Sequence, residues 1–269
     1  MATLVCFHAH PDDESIATAG TMALAADAGH DVVLVVATRG ELGEPQPGVL
    51  ADGEELWQRR VRETHESAGI LGAGRVEFLG YRDSGMMGEP TNDDPRCFWQ
   101  ADVSEAAEQL AQLLREVHAD VLTIYDDHGG YGHPDHIQVH RVGRLAAERA
   151  GVSRVFQSTM NRDHILEMMR EAASQLEAAV AEDSDQREID DDFGSPAALI
   201  THAIDVRPVV ARKRASMQAH RSQIGPETFF MKMPEEAFCS AFGTEWYIEL
   251  GRPRPADEPY RTDLFDGLR

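Results

Sequence analysis

Cysteine is scarce in this chain of 269 residues: there are three, Cys6, Cys97 and Cys239, far apart and in no Cys-x-x-Cys pair. That excludes a disulfide framework and a thiolate zinc cluster, and it suits a reducing, cytoplasmic setting. Positive charge is also sparse, with 25 Lys and Arg against 47 Asp and Glu, a formal net charge of −22. Such a surface repels phosphate backbones and anionic lipids, so neither nucleic acid nor a membrane is an expected partner. Long apolar runs are missing too. The N-terminus, Met1 to His8, has no basic segment, and its apolar stretch ends within a few residues, too short for a signal peptide or a membrane span. No internal repeat is present, and the one biased stretch, Glu182 to Asp192, reads as a solvated acidic loop.

What is present suffices for one core. Hydrophobic residues make up 42% of the chain, enough for a single domain over residues 1–269. Apolar runs at Leu4–Phe7, Val32–Ala37, Val76–Leu79, Val121–Tyr125 and Arg154–Ser158 read as strands. Helical spacing is expected over Glu14–His30, Glu54–Leu71, Val103–Val117, Ile137–Ala150 and His164–Ala181. A further strand is expected at Ala198–Val206 and a last helix at Pro208–Gln223, opened by its proline. Strands alternating with helices imply right-handed βαβ units and a three-layer, Rossmann-like α/β fold with a mostly parallel sheet. Ligands of such sheets lie beyond the carboxyl ends of the strands.

Two of the loops at those ends carry the chemistry. His8-Ala-His-Pro-Asp-Asp-Glu14 follows the first strand, and Asp126-Asp-His-Gly-Gly-Tyr-Gly-His-Pro-Asp-His136 follows Val121–Tyr125. Either cluster alone is accounted for by a capped helix start. Capping needs no histidine, however, whereas a divalent metal needs nitrogen and oxygen ligands converging from separate segments. A catalytic zinc site uses three protein ligands and keeps a position for water. His10, Asp13 and His136 supply two imidazoles and a carboxylate, leaving Asp12 as a candidate general base and His133 as a candidate general acid. An oxygenase with a two-His-one-carboxylate iron centre and a non-catalytic metal-binding module are the rival classes.

Other residues have plainer readings. His8 and His140 are read as packing or supporting residues and His128 as a loop histidine. His220 and Arg221 suit a packed helix equally well. Met86 and Met87 read as core filler, and Cys6 as an inert buried thiol.

His10-Pro-Asp-Asp-Glu14 together with Tyr131-Gly-His-Pro-Asp-His136 resembles the LmbE/PIG-L deacetylases. The likeness extends through Thr38-Arg-Gly-Glu-Leu-Gly-Glu44, Arg60-Val-Arg-Glu63 and Arg82-Asp-Ser-Gly-Met86, and more weakly into Lys213–Gln223. It implies hydrolysis of an N-acetyl amide on an amino sugar or related conjugate, with Zn2+, or Fe2+ in its place, held by His10, Asp13 and His136. It places Asp12 at the general base. It puts His133 at the histidine that stabilises the intermediate or protonates the amine, and Asp135 beside it to orient that ring. Tyr131 matches a mobile tyrosine that polarises the carbonyl, and Glu44, Arg60 and Asp83 match sugar-contacting positions. Whether His133 or protonated Asp12 supplies the proton to the amine stays open at this level, as does assembly into a homo-oligomer. Amidases of mycothiol conjugates are the related alternative. They carry a lysine shortly after the first motif, and Ser15–Met22 has none.

Overall fold

A computed structural model describes residues 1–177 and 193–268. The acidic stretch Glu182–Asp192 and the end of the helix expected over His164–Ala181 lie outside the described residues. The chain begins β1 (Thr3–His8), α1 (Asp13–Ala17), α2 (Ala19–Asp27), β2 (Asp31–Thr38), α3 (Leu56–Leu71) and β3 (Arg75–Tyr81). It continues with α4 (Val103–Glu116), β4 (Val121–Tyr125), α5 (Gly129–Gly132), α6 (Pro134–Ala150), β5 (Arg154–Thr159) and α7 (Arg162–Glu177). After the undescribed stretch come β6 (His202–Asp205), α8 (Val210–Ala219), α9 (Phe229–Lys232), α10 (Glu235–Phe242) and β7 (Thr244–Glu249).

The seven strands form one sheet in the order β3-β2-β1-β4-β5-β7-β6. β1 to β5 pair in parallel, and β7 runs antiparallel to both β5 and β6. Both faces are covered, which is why β1 and β2 are nearly continuous apolar runs. Val5 and Phe7 point into one core with Ala107, Leu110, Val139 and Val142 of α4 and α6. Leu4 and Cys6 point into the other with Met22, Ala23, Ala68 and Leu71 of α2 and α3. α6 lies so close to β4 that a Cβ on Gly143 would stand 2.4 Å from Ile124 Cγ2.

Chain direction fixes the position of the site. From β1 the chain winds outward through β2 and β3, then returns to lay β4 on the other flank of β1, with Leu4 opposite Val121 and Cys6 opposite Thr123. The loops after β1 and β4 therefore open side by side at the reversal of strand order, where α/β sheets bind ligands.

Three expectations need correction. The helix expected over Glu14–His30 breaks at Thr18 (φ −135°) into α1 and α2. The amides of Gly20 and Thr21, freed by that break, donate to the two carboxylate oxygens of Glu245, both at 2.8 Å, and Glu245 is neutralised by Lys213 Nζ at 2.6 Å. The strand expected from Ala198 starts only at His202, and the helix expected to reach Gln223 stops at Ala219. The reversed strand β7 and the short helices α9 and α10 were not anticipated.

Candidate metal centre

β1 ends at His8, and the chain turns sharply through Pro11 and Asp12 before α1 begins at Asp13. Asp13 Oδ2 accepts from the His10 amide at 2.7 Å, which folds the carboxylate back over the turn. Its two oxygens then face two imidazoles: Oδ2 lies 3.4 Å from His10 Nδ1, and Oδ1 lies 3.4 Å from His136 Nε2. Donors about 2.1 Å from a common tetrahedral ion stand about 3.4 Å apart, the distance between each Asp13 oxygen and the imidazole nitrogen it faces.

The opposite nitrogens are tied down. His10 Nε2 donates to Asp135 Oδ2 at 3.1 Å, and His136 Nδ1 donates to the Gly129 carbonyl at 3.2 Å. A carboxylate or carbonyl behind each ring fixes its tautomer and directs the free lone pair inward. His136 Nε2 is buried with no hydrogen-bond partner, the state of a nitrogen built to bind an ion. His136 also stacks on Tyr125, with centroids 4.2 Å apart and planes 5° from parallel. Gly129 (φ +68°) has to be glycine, because a Cβ there would meet His136 Cβ at 2.7 Å. The donor set fits a divalent cation.

His133 joins this cluster. Donor atoms of His10, His133 and His136 all lie within 4.8 Å of one another. As the N-cap of α6, His133 accepts from the Asp135 amide through Nδ1 at 3.1 Å, so its proton sits on Nε2. Burial, with His10 and His136 alongside, lowers it to about 4, so the ring is neutral at pH 7. The amide of Asp135 thus orients His133, while its carboxylate serves His10 and the Ser84 amide (3.0 Å) and hydroxyl.

Asp12 lies in the left-handed region at φ 97°, unusual for a side chain larger than glycine. Desolvation pushes its carboxyl up to about 6, against the pull of Arg60 and with the push of Asp13. Arg60 is buried beneath this turn and donates to the Gly40 carbonyl (2.9 Å), the Pro11 carbonyl (2.5 Å) and Asp12 Oδ2 (3.2 Å). Asp83 lies 3.6 Å from His10 Nε2 and accepts from the Gly85 and Leu42 amides. Desolvation opposes ionisation of Asp83, but His10 and the Gly85 amide outweigh it and hold the carboxyl well below the ordinary range. Tyr131 is half exposed on the glycine-flanked turn α5, its ring 5.0 Å from that of His136. Glu44 is exposed on the loop after β2, where its carbonyl accepts from Gln223 Nε2 at 3.4 Å. A largely apolar cavity of about 340 Å³ opens beside Asp13, Tyr131 and His136, lined further by Ile16, Met160 and Trp246.

Some spare histidines turn out to be occupied. His8 bonds Tyr125 Oη and Thr18 Oγ1, both at 2.8 Å, and His140 bonds the Tyr125 carbonyl at 3.0 Å. Sequence reasoning missed the support given by Ser84, Tyr125, Glu14 and Thr18. Ser84 lay inside a quoted motif and Tyr125 at the end of a predicted strand, but neither residue type announces such a role.

A three-layer α/β protein that gathers two histidines, an aspartate and a further carboxylate at the strand ends has the constitution of a metal-site hydrolase. The GlcNAc-PI de-N-acetylase (PIG-L) family matches residues 5–147. The chain is 40% identical over 281 residues to a 1D-myo-inositol 2-acetamido-2-deoxy-alpha-D-glucopyranoside deacetylase of Acidothermus cellulolyticus, covering 99% of this chain and 95% of that one. To the deacetylase of the same description from Nocardiopsis dassonvillei it is 42% identical over 280 residues, covering 97% and 99%. The chain belongs to the GlcNAc-PI de-N-acetylase family and is an N-deacetylase. Its fold is shared with the N,N'-diacetylchitobiose deacetylase of Pyrococcus horikoshii, at TM-score 0.56 and 20% identity over 92% of this chain and 83% of that one.

Proposed function

We propose that the protein hydrolyses the acetamide of an N-acetylglucosamine unit, carried on inositol as in the substrate named for its relatives, to acetate and the free amine. The observation that carries this reading is the carboxylate of Asp12 beside the His10, Asp13 and His136 cluster. Those three residues hold the ion, zinc or ferrous iron. When bound, it lowers the pKa of a coordinated water to about 7 and polarises the amide carbonyl.

The chain's own groups account for the proton movements. Asp12 takes a proton from the attacking water as the new C–O bond forms. The carbonyl oxygen, gaining negative charge, accepts hydrogen bonds from the Nε2–H of neutral His133 and the hydroxyl of Tyr131. Because His133 carries no second proton at pH 7, protonated Asp12 returns its proton to the nitrogen as the C–N bond breaks. Asp83, Arg60 and, on the rim, Glu44 meet the sugar and its neighbouring ring. None of these three lines the apolar cavity beside Asp13 and His136, which receives the acyl methyl.

The test is amine release from N-acetylglucosaminyl-inositol by protein loaded with zinc or ferrous iron. Asp12→Ala is expected to abolish release while metal content stays at the wild-type level. Metal-dependent turnover that survives this substitution would remove Asp12 from the mechanism, and no turnover of any N-acetylglucosamine conjugate would overturn the reading.

A further inference from the structure

We propose that the buried Glu14–His220 pair is a positioning device for Asp12: through it, the turn that ends α8 holds the Asp12 backbone in its left-handed conformation and so aims the carboxylate. The inference rests on the proposed role of Asp12 as the base.

A non-glycine residue at φ 97° is strained and persists only where its surroundings over-determine it. The Asp12 amide donates to Glu14 Oε2 at 3.1 Å. The other oxygen of Glu14 accepts from Ser67 Oγ at 2.5 Å and His220 Nε2 at 2.6 Å. Glu14 and His220 are both fully buried, at 0% exposure. Their 2.6 Å contact is a buried salt bridge. A buried ion pair is no cheap source of stability compared with an apolar pair of the same volume. Its distinguishing contribution is direction, since a fully ligated carboxylate can present one oxygen to one amide.

The pair is fixed from behind. His220 is where α8 stops (φ −82°, ψ 53°), and its side chain reaches Glu14. Two residues on, Ser222 donates its amide (3.0 Å) and hydroxyl (2.6 Å) to Glu63 of α3, and its carbonyl accepts from the Gln46 amide at 2.8 Å. Arg60, also on α3, grips the Pro11 carbonyl and Asp12 Oδ2 from the other side. Asp12 is thus held at its amide by Glu14 and at its carboxylate by Arg60.

The test is the double variant Glu14→Met with His220→Phe, which removes both buried charges and orphans neither. Its melting temperature and bound metal should match wild type. Loss of aim should lower kcat by about 100-fold, the scale of a misplacement of about 1 Å, with KM within about threefold. Glu14→Gln with His220→Gln keeps an acceptor for the Asp12 amide, the new NH2 at position 14 donating to the new carbonyl at position 220, and should return kcat to within about tenfold of wild type. A Met/Phe variant with wild-type kcat, or one that loses metal along with activity, overturns the proposal, as does a Gln/Gln variant no better than Met/Phe. Should Met/Phe fail to fold, His220→Gln against His220→Ala at equal metal content decides it, equal kcat values overturning the proposal. Asp12→Ala in the same assay keeps the two readings apart, because activity surviving there sinks the base assignment itself.

Discussion

Replacing Asp135 by Asn should weaken metal binding while leaving the metal-free fold almost unchanged. Asp135 is fully buried, and its carboxylate accepts from His10 Nε2 (3.1 Å), the Ser84 amide (3.0 Å) and the Ser84 hydroxyl. An asparagine oxygen in place of Oδ2 still accepts both N–H groups, and its NH2 faces a hydroxyl that can turn to accept. Shape and hydrogen-bond count survive, and what disappears is the negative charge that makes His10 a stronger ligand. Loss of such a partner costs about 10- to 100-fold in metal affinity, or about 1.4–2.7 kcal/mol. The metal-free protein exchanges charge-assisted bonds for neutral ones and should lose about 1 kcal/mol, a fall of about 2–4 °C at this chain length. Competition against a chromogenic chelator measures the first quantity and calorimetry of the metal-free protein the second. Unchanged metal affinity in a folded Asp135→Asn protein would refute the assignment of Asp135 as the support of a ligand.

Four further outcomes are expected. Gly143→Ala should destabilise the protein by about 1–3 kcal/mol in urea titration despite alanine's higher helix propensity, because its Cβ would stand 2.4 Å from Ile124 Cγ2. His202, buried among Arg261, Arg154 and Arg252, is lowered to about 4 from its ordinary 6.5. Between those values the unfolded chain binds a proton that the folded one refuses, so this contribution to stability is present above pH 6.5 and lost as pH falls toward 4. His202→Asn should flatten that slope between pH 7.5 and 5. Burial pushes the Cys6 thiol up to about 12, so iodoacetamide at pH 8 should label Cys239, which is half-buried, and spare Cys6 until the protein unfolds; mass spectrometry of timed samples reads this. Finally, the cavity of about 340 Å³ beside Asp13 and His136 should admit an N-propionyl substrate with kcat/KM within about tenfold of the acetyl one, since one methylene is worth only about 1 kcal/mol in an apolar site. An N-propionyl compound that is bound but not cleaved would place the acyl group elsewhere.

The legible parts of the fold share a cause. β1, β2 and β4 are covered on both faces, so burial writes itself as an unbroken apolar run, and prolines with carboxylates mark the helix starts just beyond two of them. The end of the chain hides its structure by inverting the usual alternation. The buried positions of β7 are Glu245, Tyr247 and Glu249, while Trp246 and Ile248 are only half covered, because Glu245 caps α2 and pairs with Lys213 while Glu249 pairs with Arg154 and Arg261. The break at Thr18 is equally silent, since no proline marks it and the amides it frees are satisfied by a residue more than two hundred positions away. Within the site, residue type and spacing single out His10, Asp13 and His136, and Asp13 does face both rings. Their supports could not be read in this way. Ser84, Tyr125 and the Glu14–His220 contact, 206 residues apart in sequence, arise from three-dimensional packing alone.

The crossing at β1 and β4 also has an evolutionary side. The proposed base and metal-holding residues follow the two central strands, whereas Glu44 and Asp83 lie on loops after β2 and β3. On the proposed reading, changing the loop after β2 would alter which sugar is admitted, whereas the loop after β3 also carries Asp83 and Ser84, which touch His10 and Asp135.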